Sequence, residues 1–517
     1  MLRVAAITAA AAATATVAAF NPSNSNSSSS SSSSKDCSGT TDPRCWTSAA
    51  AAERGSPSTR LLHQVMASEK PPSIPTFEEI SDAEIARRYP ADLELKLVQV
   101  VHRHGARTAV SARLDKYHPA TWTCTPDMAT VDAITQPDPT TMEHSPAAFY
   151  RLLHVPGRQP LIGTCYWGQL TAHGRQQLVD LGQNLRHLYV DRLQFLSPQC
   201  NVNDIYVRST TIRRAIESVQ NLMLGLYPPS TRVPTAASAS PVVVDIHTLH
   251  EKVETMYPNY SACRRLGEMK KEMQAAPPMT ELAKQMEQVR VRTATAMGID
   301  PAQLSSSLHG IYDELVAREA HGLPLPTGVT RDMIKEIELL CVQWWFADLK
   351  RALPYRRLAI GRFMQEVLAD MLHIAAPTDS VALQQQTQAL AEFSTVAVER
   401  DASASVSPKT TGPSPLKFMA FSGHDTTLAP TLIALGYDLK EWPGFASNIA
   451  FELFQERTQA RKHVVRVLYN NRPFAMPGCA GAARDKAGEF CPLDKFAEVV
   501  AQNFPLNFQE ECKSARE

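Results

Sequence analysis

A surplus of one charge is the first thing this sequence lacks: 52 basic residues face 52 acidic ones in 517, a formal net charge of zero. Proteins that coat nucleic acid or bind anionic membranes through a polybasic surface carry a cationic excess. That class is excluded, and any anion site must be a local cluster inside a neutral protein. Long, strongly apolar runs are missing as well. The run at residues 4–20 is mostly alanine and threonine, which contribute too little transfer energy for a permanent membrane span. The ten cysteines include no CxxC pair, so neither a zinc ribbon nor a thioredoxin motif is indicated. There is no internal repeat. Glycine is scarce, 22 against 36 prolines, which points to rigid loops and bounded helices. With 44% hydrophobic and 20% charged residues the composition is that of a globular protein. The length allows two to four domains or one large α/β body with insertions.

The amino-terminal region carries its own pattern. Arg3 precedes the Ala/Thr run, and the small residues Val17, Ala18 and Ala19 close it, as in a secretory signal cut after Ala19. A mitochondrial presequence is the rival reading, because no acid precedes Asp36 and serine is abundant. Arginine poverty weakens that rival, since Lys35 is the only basic residue between Arg3 and Arg44. Residues 1–20 are therefore read as a signal or targeting segment. Residues 21–75, rich in Ser, Ala and Pro, are read as a disordered linker unable to bury enough apolar surface to offset chain entropy. Cys479 and Cys491 bracket a short loop that a disulfide could close in an oxidising compartment. Asn259-Tyr260-Ser261 is a glycosylation sequon, a triplet that often occurs by chance.

Three apolar runs read as buried strands ending in polar clusters. Residues 93–101 lead into His102-Arg103-His104-Gly105, residues 204–207 into Arg208-Ser209-Thr210, and residues 418–421 into Ser422-Gly423-His424-Asp425. Runs apolar on both faces suit a parallel sheet covered by helices, and in open α/β sheets ligands gather beyond the carboxyl ends of the strands. Helical periodicity follows over 211–226 and over 427–435, the latter with Pro430 in its first turn. Long helical stretches between 264 and 375, notably 332–350 and 358–372, predict a helical cap. The resulting division is 76–263 and 416–517 as two parts of an α/β core, 264–400 as the cap, and 401–415 as a surface loop.

The three strand ends propose one site. Guanidiniums of Arg103, Arg107 and Arg208 match the oxygens of a phosphate dianion. A neutral imidazole at His104 can attack phosphorus and become phosphohistidine. A cationic His424 would join the arginines in stabilising the charge that spreads over the equatorial oxygens. Asp425 could protonate the leaving alkoxide and then, as carboxylate, take a proton from the attacking water. The scheme requires no metal and no cofactor. Arg214 is expected in a structural salt bridge behind the pocket, Arg213 on a solvated face, and His102 in the core. Tyr166, Trp167 and Phe445 could line an apolar channel, with ordinary packing the favoured alternative.

Arg103-His104-Gly105-Ala106-Arg107, then Arg208-Ser209-Thr210 with Arg214, then His424-Asp425-Thr426-Thr427 resemble the histidine acid phosphatases in identity, order and strand context. GQLT at 168–171, FLSP at 195–198, YPNY at 257–260, MGID at 297–300 and CPLD at 491–494 are most similar to the lysophosphatidic acid phosphatase branch. The likeness extends over about 93–512. It implies a phosphoglycerate-mutase-like, three-layer α/β sandwich with a mainly parallel sheet and an inserted helical cap. It also implies an acid phosphatase with His104 as nucleophile, Arg103, Arg107, Arg208 and His424 as phosphate ligands, and Asp425 as proton donor. The implied partner is a small phosphomonoester, lysophosphatidic acid or a similar molecule, with no nucleic acid. A broad-specificity acid phosphatase or a phytase is the alternative. More distant are a catalytically silent binding protein and a metallohydrolase using His102-x-His104. Ala109 stands where the family has proline and Ala215 where most members have threonine; residues 111–163 fit the pattern least. The destination implied is the secretory pathway, with mitochondria as the alternative.

Overall fold

The computed structural model describes residues 81–124 apart from Ala112, 161–232, 242–376 and 416–515, with isolated positions between 384 and 393. The targeting segment at 1–20, the linker at 21–75 and the loop at 401–415 lie outside the described residues, as does most of 111–163.

Eight strands form one sheet among the described residues: β1 (Leu93–Arg103), β2 (Ile205–Ser209), β3 (His247–Thr248), β4 (Phe418–Gly423), β5 (Asn448–Glu456), β6 (Gln459–Tyr469), β7 (Arg472–Pro473) and β8 (Phe490–Pro492). Their order is β3-β2-β4-β1-β5-β6-β7, with β8 beside β6. The half holding β3, β2, β4 and β1 is parallel, as the apolar runs predict. From β1 to β5 onward the pairing turns antiparallel, so the sheet is mixed rather than mainly parallel. The reason is local. Only Arg457 and Thr458 separate β5 from β6, and a two-residue connection permits a hairpin but no parallel crossover.

The helices are α1 (Asp82–Arg88), α2 (Ala172–Arg186), α3 (Arg213–Leu226), α4 (Arg264–Ala275), α5 (Pro277–Ala296), α6 (Leu308–Ala320), α7 (Arg331–Arg351), α8 (Leu353–Ala375), α9 (Asp425–Ala434), α10 (Leu493–Ala501) and α11 (Phe508–Glu511). Alternation along β1 creates the layers. Val98 and Val100 pack with Leu178 and Leu181 of α2 and Val219 and Leu222 of α3. Leu97 and Val101 belong to the opposite core, which holds Phe363 and Val367 of α8, Leu428 of α9 and Phe496 of α10. Each such buried Leu, Val or Phe contributes about 1.5–3 kcal/mol. Helix α8 thus lies on the sheet: Phe363 packs edge-on to Phe421 of β4 at 5.4 Å, and Gln99 Nε2 of β1 donates to the Val367 carbonyl.

Helix α9 starts at Asp425, immediately after β4, so Pro430 sits past its first turn instead of within it. His424 caps the helix between strand and first turn, and its backbone N–H donates to Thr427 Oγ1, which starts the helix two residues earlier than the apolar period indicates. Cys479 and Cys491 form a disulfide, and two more join Cys124 to Cys165 and Cys263 to Cys512. Asn259 of the sequon is buried; its Nδ2 donates to the carbonyls of Glu251 and Glu254, and its Oδ1 accepts from the Ala262 N–H.

Candidate active site

Parallel register aligns the three polar strand ends. Arg103 lies opposite Gly423, and Ser422 has His102 on one side and Ser209 on the other. The chain leaving β1 is then pressed against α2 and α3. Gly105 N donates to Ser218 Oγ, and Ala106 N to Gln177 Oε1. A Cβ on Gly105 would come within 2.1 Å of the Gly174 carbonyl, so only glycine lets the first turn of α2 approach this loop.

Above the strand ends is a cavity of about 310 Å³, within the range of small-molecule sites. Five of the six expected site residues line it: Arg103, His104, Arg107, His424 and Asp425. His104 is buried, and its Nδ1 lies 2.9 Å from the Gly105 carbonyl. A carbonyl only accepts, so the proton of neutral His104 sits on Nδ1 and Nε2 keeps its lone pair. Burial, reinforced by Arg214, Arg103 and Arg107, holds this imidazole well below its ordinary pKa. His424, 5.5 Å away ring to ring, is depressed by burial and by Arg214 despite the opposing pull of Asp425. Where a cationic His424 was expected, these surroundings favour a neutral ring, whose Nε2 lies 3.0 Å from Thr210 Oγ1. Neutralisation is the cheaper outcome for a base buried beside guanidiniums.

The cations differ in their company. Arg103 pairs with Asp425 Oδ2 at 2.8 Å, donates to the Pro443 carbonyl at 2.6 Å, and lies 4.4 Å over the Phe445 ring. Arg107 makes a two-pronged bond to Asp313 of α6, at 2.7 and 3.3 Å. Burial by itself would raise the Asp425 pKa, but Arg103, the Trp442 N–H, Arg107 and His424 outweigh it and hold the group well below the carboxylate range.

Arg208, expected as a phosphate ligand, does not line this cavity. Its buried guanidinium bonds Glu366 of α8, Glu254 at 2.7 Å and Thr255 Oγ1 at 2.8 Å. Both terminal nitrogens of its guanidinium are thus bonded to carboxylates. Arg214 lines the cavity in its place. The expected salt bridge behind the pocket is absent for Arg214 among the described residues, and its buried Nε has no hydrogen-bond partner. Burial, with Arg107 and Arg103 nearby, lowers its pKa to about 10, still a cation at neutral pH. Arg213, by contrast, pairs with Glu217 at 2.7 Å on a partly exposed face.

His102 is fully buried, with Nδ1 against the Arg103 carbonyl, and is not part of the lining, which removes the His102-x-His104 metal pair. Phe445 lines the cavity, whereas Tyr166 and the exposed Trp167 do not. Sequence reasoning missed His309, Asp313 and Trp442, which come from α6 and from the loop after α9. Their only local signal was an Asp one helical turn after a His on a helix of the cap.

Counting factor 60 of Dictyostelium discoideum is 28% identical over 427 residues, covering 82% of this chain and 89% of that protein. Lysophosphatidic acid phosphatase type 6 of Mus musculus is 29% identical over 432 residues, again covering 82% and 89%. The apo phytase of Hafnia alvei aligns with 82% of this chain and 99% of its own, at 14% identity and a TM-score of 0.49. Residues 94–470, a span from β1 to the end of β6 that includes every strand end and helix lining the cavity, match the histidine phosphatase superfamily (branch 2), and the chain belongs to that superfamily.

Proposed function

We propose that this protein is an acid phosphatase that hydrolyses phosphomonoesters through a phosphohistidine on His104, with lysophosphatidic acid or a similar apolar phosphomonoester as substrate. The observation that carries the reading is His104, its Nδ1 turned to the Gly105 carbonyl, sharing one small cavity with three guanidiniums. Arg103, Arg107 and Arg214 take the phosphate oxygens, with His424 as a further hydrogen-bonding ligand. Nε2 of His104 attacks phosphorus as the ester oxygen departs, taking the proton of Asp425. Water then attacks the phosphohistidine, loses its proton to Asp425 and restores His104.

Charge makes the proton count explicit. With both imidazoles neutral, three guanidiniums against Asp313 and Asp425 leave one net positive charge. A phosphomonoester dianion turns this to one net negative charge, and a single proton restores neutrality. Asp425 is the group that takes it, because the dianion competes for Arg103 and removes the main cause of the low Asp425 pKa. Activity therefore requires one more proton than the separated dianion and free enzyme hold, and it falls as pH rises past the second phosphate pKa of about 6.

The rest of the lining supports an apolar group on the phosphate: Val110, Ile212, Val316, Tyr257, Tyr312 and Trp345. Among the described residues the lining holds no cations beyond the three arginines, which suits one phosphate better than the polyanion a phytase takes. The similarity to lysophosphatidic acid phosphatase type 6 favours the same choice. Three disulfides among the described residues support a secretory destination. The test is turnover of p-nitrophenyl phosphate, lysophosphatidic acid and inositol hexakisphosphate by wild type, His104→Ala and Asp425→Asn. Lysophosphatidic acid should exceed inositol hexakisphosphate in kcat/KM. His104→Ala should be inactive, and Asp425→Asn should form phosphoenzyme slowly. Normal turnover by His104→Ala would remove the nucleophile.

A further inference from the structure

The two carboxylate oxygens of Asp425 are not equivalent. Among the described residues Oδ1 accepts only from the Thr426 N–H, at 2.8 Å. Oδ2 accepts from Arg103 at 2.8 Å and from Trp442 Nε1 at 2.9 Å. An indole nitrogen donates and never accepts, so an acid proton on Oδ2 would face the N–H of Trp442. Oδ1 keeps a free lone pair.

The indole is held by parts of the protein remote from the catalytic strands. Its backbone N–H donates to Glu338 Oε1 of α7 at 2.9 Å. Its ring packs against Phe346 at 4.9 Å and His309 at 5.1 Å, with Tyr312 and Trp345 further out. Trp442 is buried, so its N–H direction is set by α6 and α7. When a phosphate draws Arg103 away, Trp442 is the donor that remains on Oδ2. Its influence is therefore greatest in the substrate complex.

We infer that Trp442 is a positioning residue for leaving-group protonation: by occupying Oδ2 it places the transferable proton of Asp425 on Oδ1. The inference rests on the phosphatase reading above. In the first half-reaction the O–H bond of Asp425 Oδ1 breaks as the ester oxygen gains that proton, the P–O bond breaks and the P–Nε2 bond forms. In the second, a water proton passes to Oδ1 as the oxygen of that water bonds to phosphorus and the P–Nε2 bond breaks.

The test compares kcat/KM, which reports steps up to leaving-group departure, for two substrates of the full-length enzyme. Nitrophenolate leaves without a proton; the alkoxide of glycerol phosphate does not. Trp442→Phe keeps an aromatic ring and removes the N–H. It should lower kcat/KM for glycerol phosphate by about ten- to a hundredfold, the worth of one hydrogen bond to a charged group. For p-nitrophenyl phosphate the loss should stay within about threefold. Trp442→His, which returns a ring N–H, should recover much of the difference. Should Trp442→Phe fail to fold, Glu338→Ala releases the Trp442 backbone N–H and should depress the same ratio in the same direction. Equal losses on both substrates, or no rescue by histidine, would reduce Trp442 to a packing residue. A wild type inactive on both substrates would instead overturn the phosphatase reading.

Discussion

Exchanging Arg208 and Arg214 for methionine, one at a time, separates the two arginines by what each loses. Arg208 is buried between Glu254 and Glu366, and its removal leaves two carboxylates without their cation. Breaking a buried pair from one side costs about 3–5 kcal/mol. Unfolding entropy near 2.1 cal/mol/K per residue gives roughly 1 kcal/mol/K for the body Pro72–Glu517, so the Tm of Arg208→Met should fall by about 4 °C. The penalty should also depend on pH. Burial already raises the Glu366 pKa in the wild type, and without Arg208 it rises further above its unfolded value. A raised carboxylate loses stability as pH climbs past its unfolded pKa, so the deficit should be larger at pH 7.5 than at pH 5. Arg214 has no carboxylate to strand, and Arg214→Met should leave Tm nearly unchanged. Its kcat/KM on p-nitrophenyl phosphate should drop by about 10²–10³, the effect of deleting one donor to transition-state charge. Saturating inorganic phosphate should raise the Tm of Arg208→Met but not that of Arg214→Met. Thermal denaturation and steady-state kinetics measure all of this. If Arg208→Met loses as much activity at unchanged Tm, while Arg214→Met turns over normally, the assignment of the third phosphate ligand is reversed.

Acidification should destabilise the ligand-free protein. Burial depresses His102 to about 4 and His424 to about 3 and holds His104 well below its ordinary value, whereas an unfolded imidazole binds its proton below about 6.5. For a depressed histidine the unfolded chain binds more protons, so stability is present above pH 6.5 and is lost toward pH 5, at about 2 kcal/mol for each ring. Urea midpoints at pH 7 and pH 5 read this directly, and equal midpoints would refute the neutral-imidazole picture. Asn259 should carry no glycan after passage through a secretory host, because both amide protons are bonded inside the fold; glycosidase treatment should leave the mass of its peptide unchanged.

Much of the parallel half of the fold was legible because β1, β2 and β4 are buried on both faces and so read as unbroken apolar runs. The β5–β6 hairpin was not, and Glu452 and Arg466 are part of the reason. They form an ion pair with neither side chain exposed, and Tyr89 and Tyr189 donate to Glu452 as well. Charged letters in a strand read as solvent-facing unless their partners are known. The two arginines pose the same problem. In Arg208-Ser209-Thr210-Thr211-Ile212-Arg213-Arg214, nothing local says which guanidinium is free. The answer lies with Glu254 and Glu366, 46 and 158 residues further along the chain. His104 and Asp425 were legible because strand ends and the turn into α9 fix their place with short-range geometry. Asp313 and Trp442 were not, because α6 and the loop after α9 meet the strand ends only through the tertiary fold.

The site holds its positive charge in three ways, and the difference bears on the pH dependence that the proposed mechanism predicts. Arg107 is tied to Asp313, whose second oxygen also accepts from the Val110 N–H, so that pair is braced from both sides. Arg103 is tied to Asp425, the proposed proton donor. Arg214, without an ion-pair partner among the described residues, is the cation an incoming phosphate meets without displacing one of them. Arg103 then has to exchange one anion for another, and it can do so without losing its seat, because the Pro443 carbonyl and the Phe445 ring hold the guanidinium independently of Asp425. Each time phosphate wins that exchange, Asp425 loses the charge that kept it ionised and gains a neighbouring anion that favours protonation. Under the proposed mechanism, the acid needed for leaving-group departure is thus produced by substrate binding, in a carboxyl group that Arg103 otherwise keeps ionised.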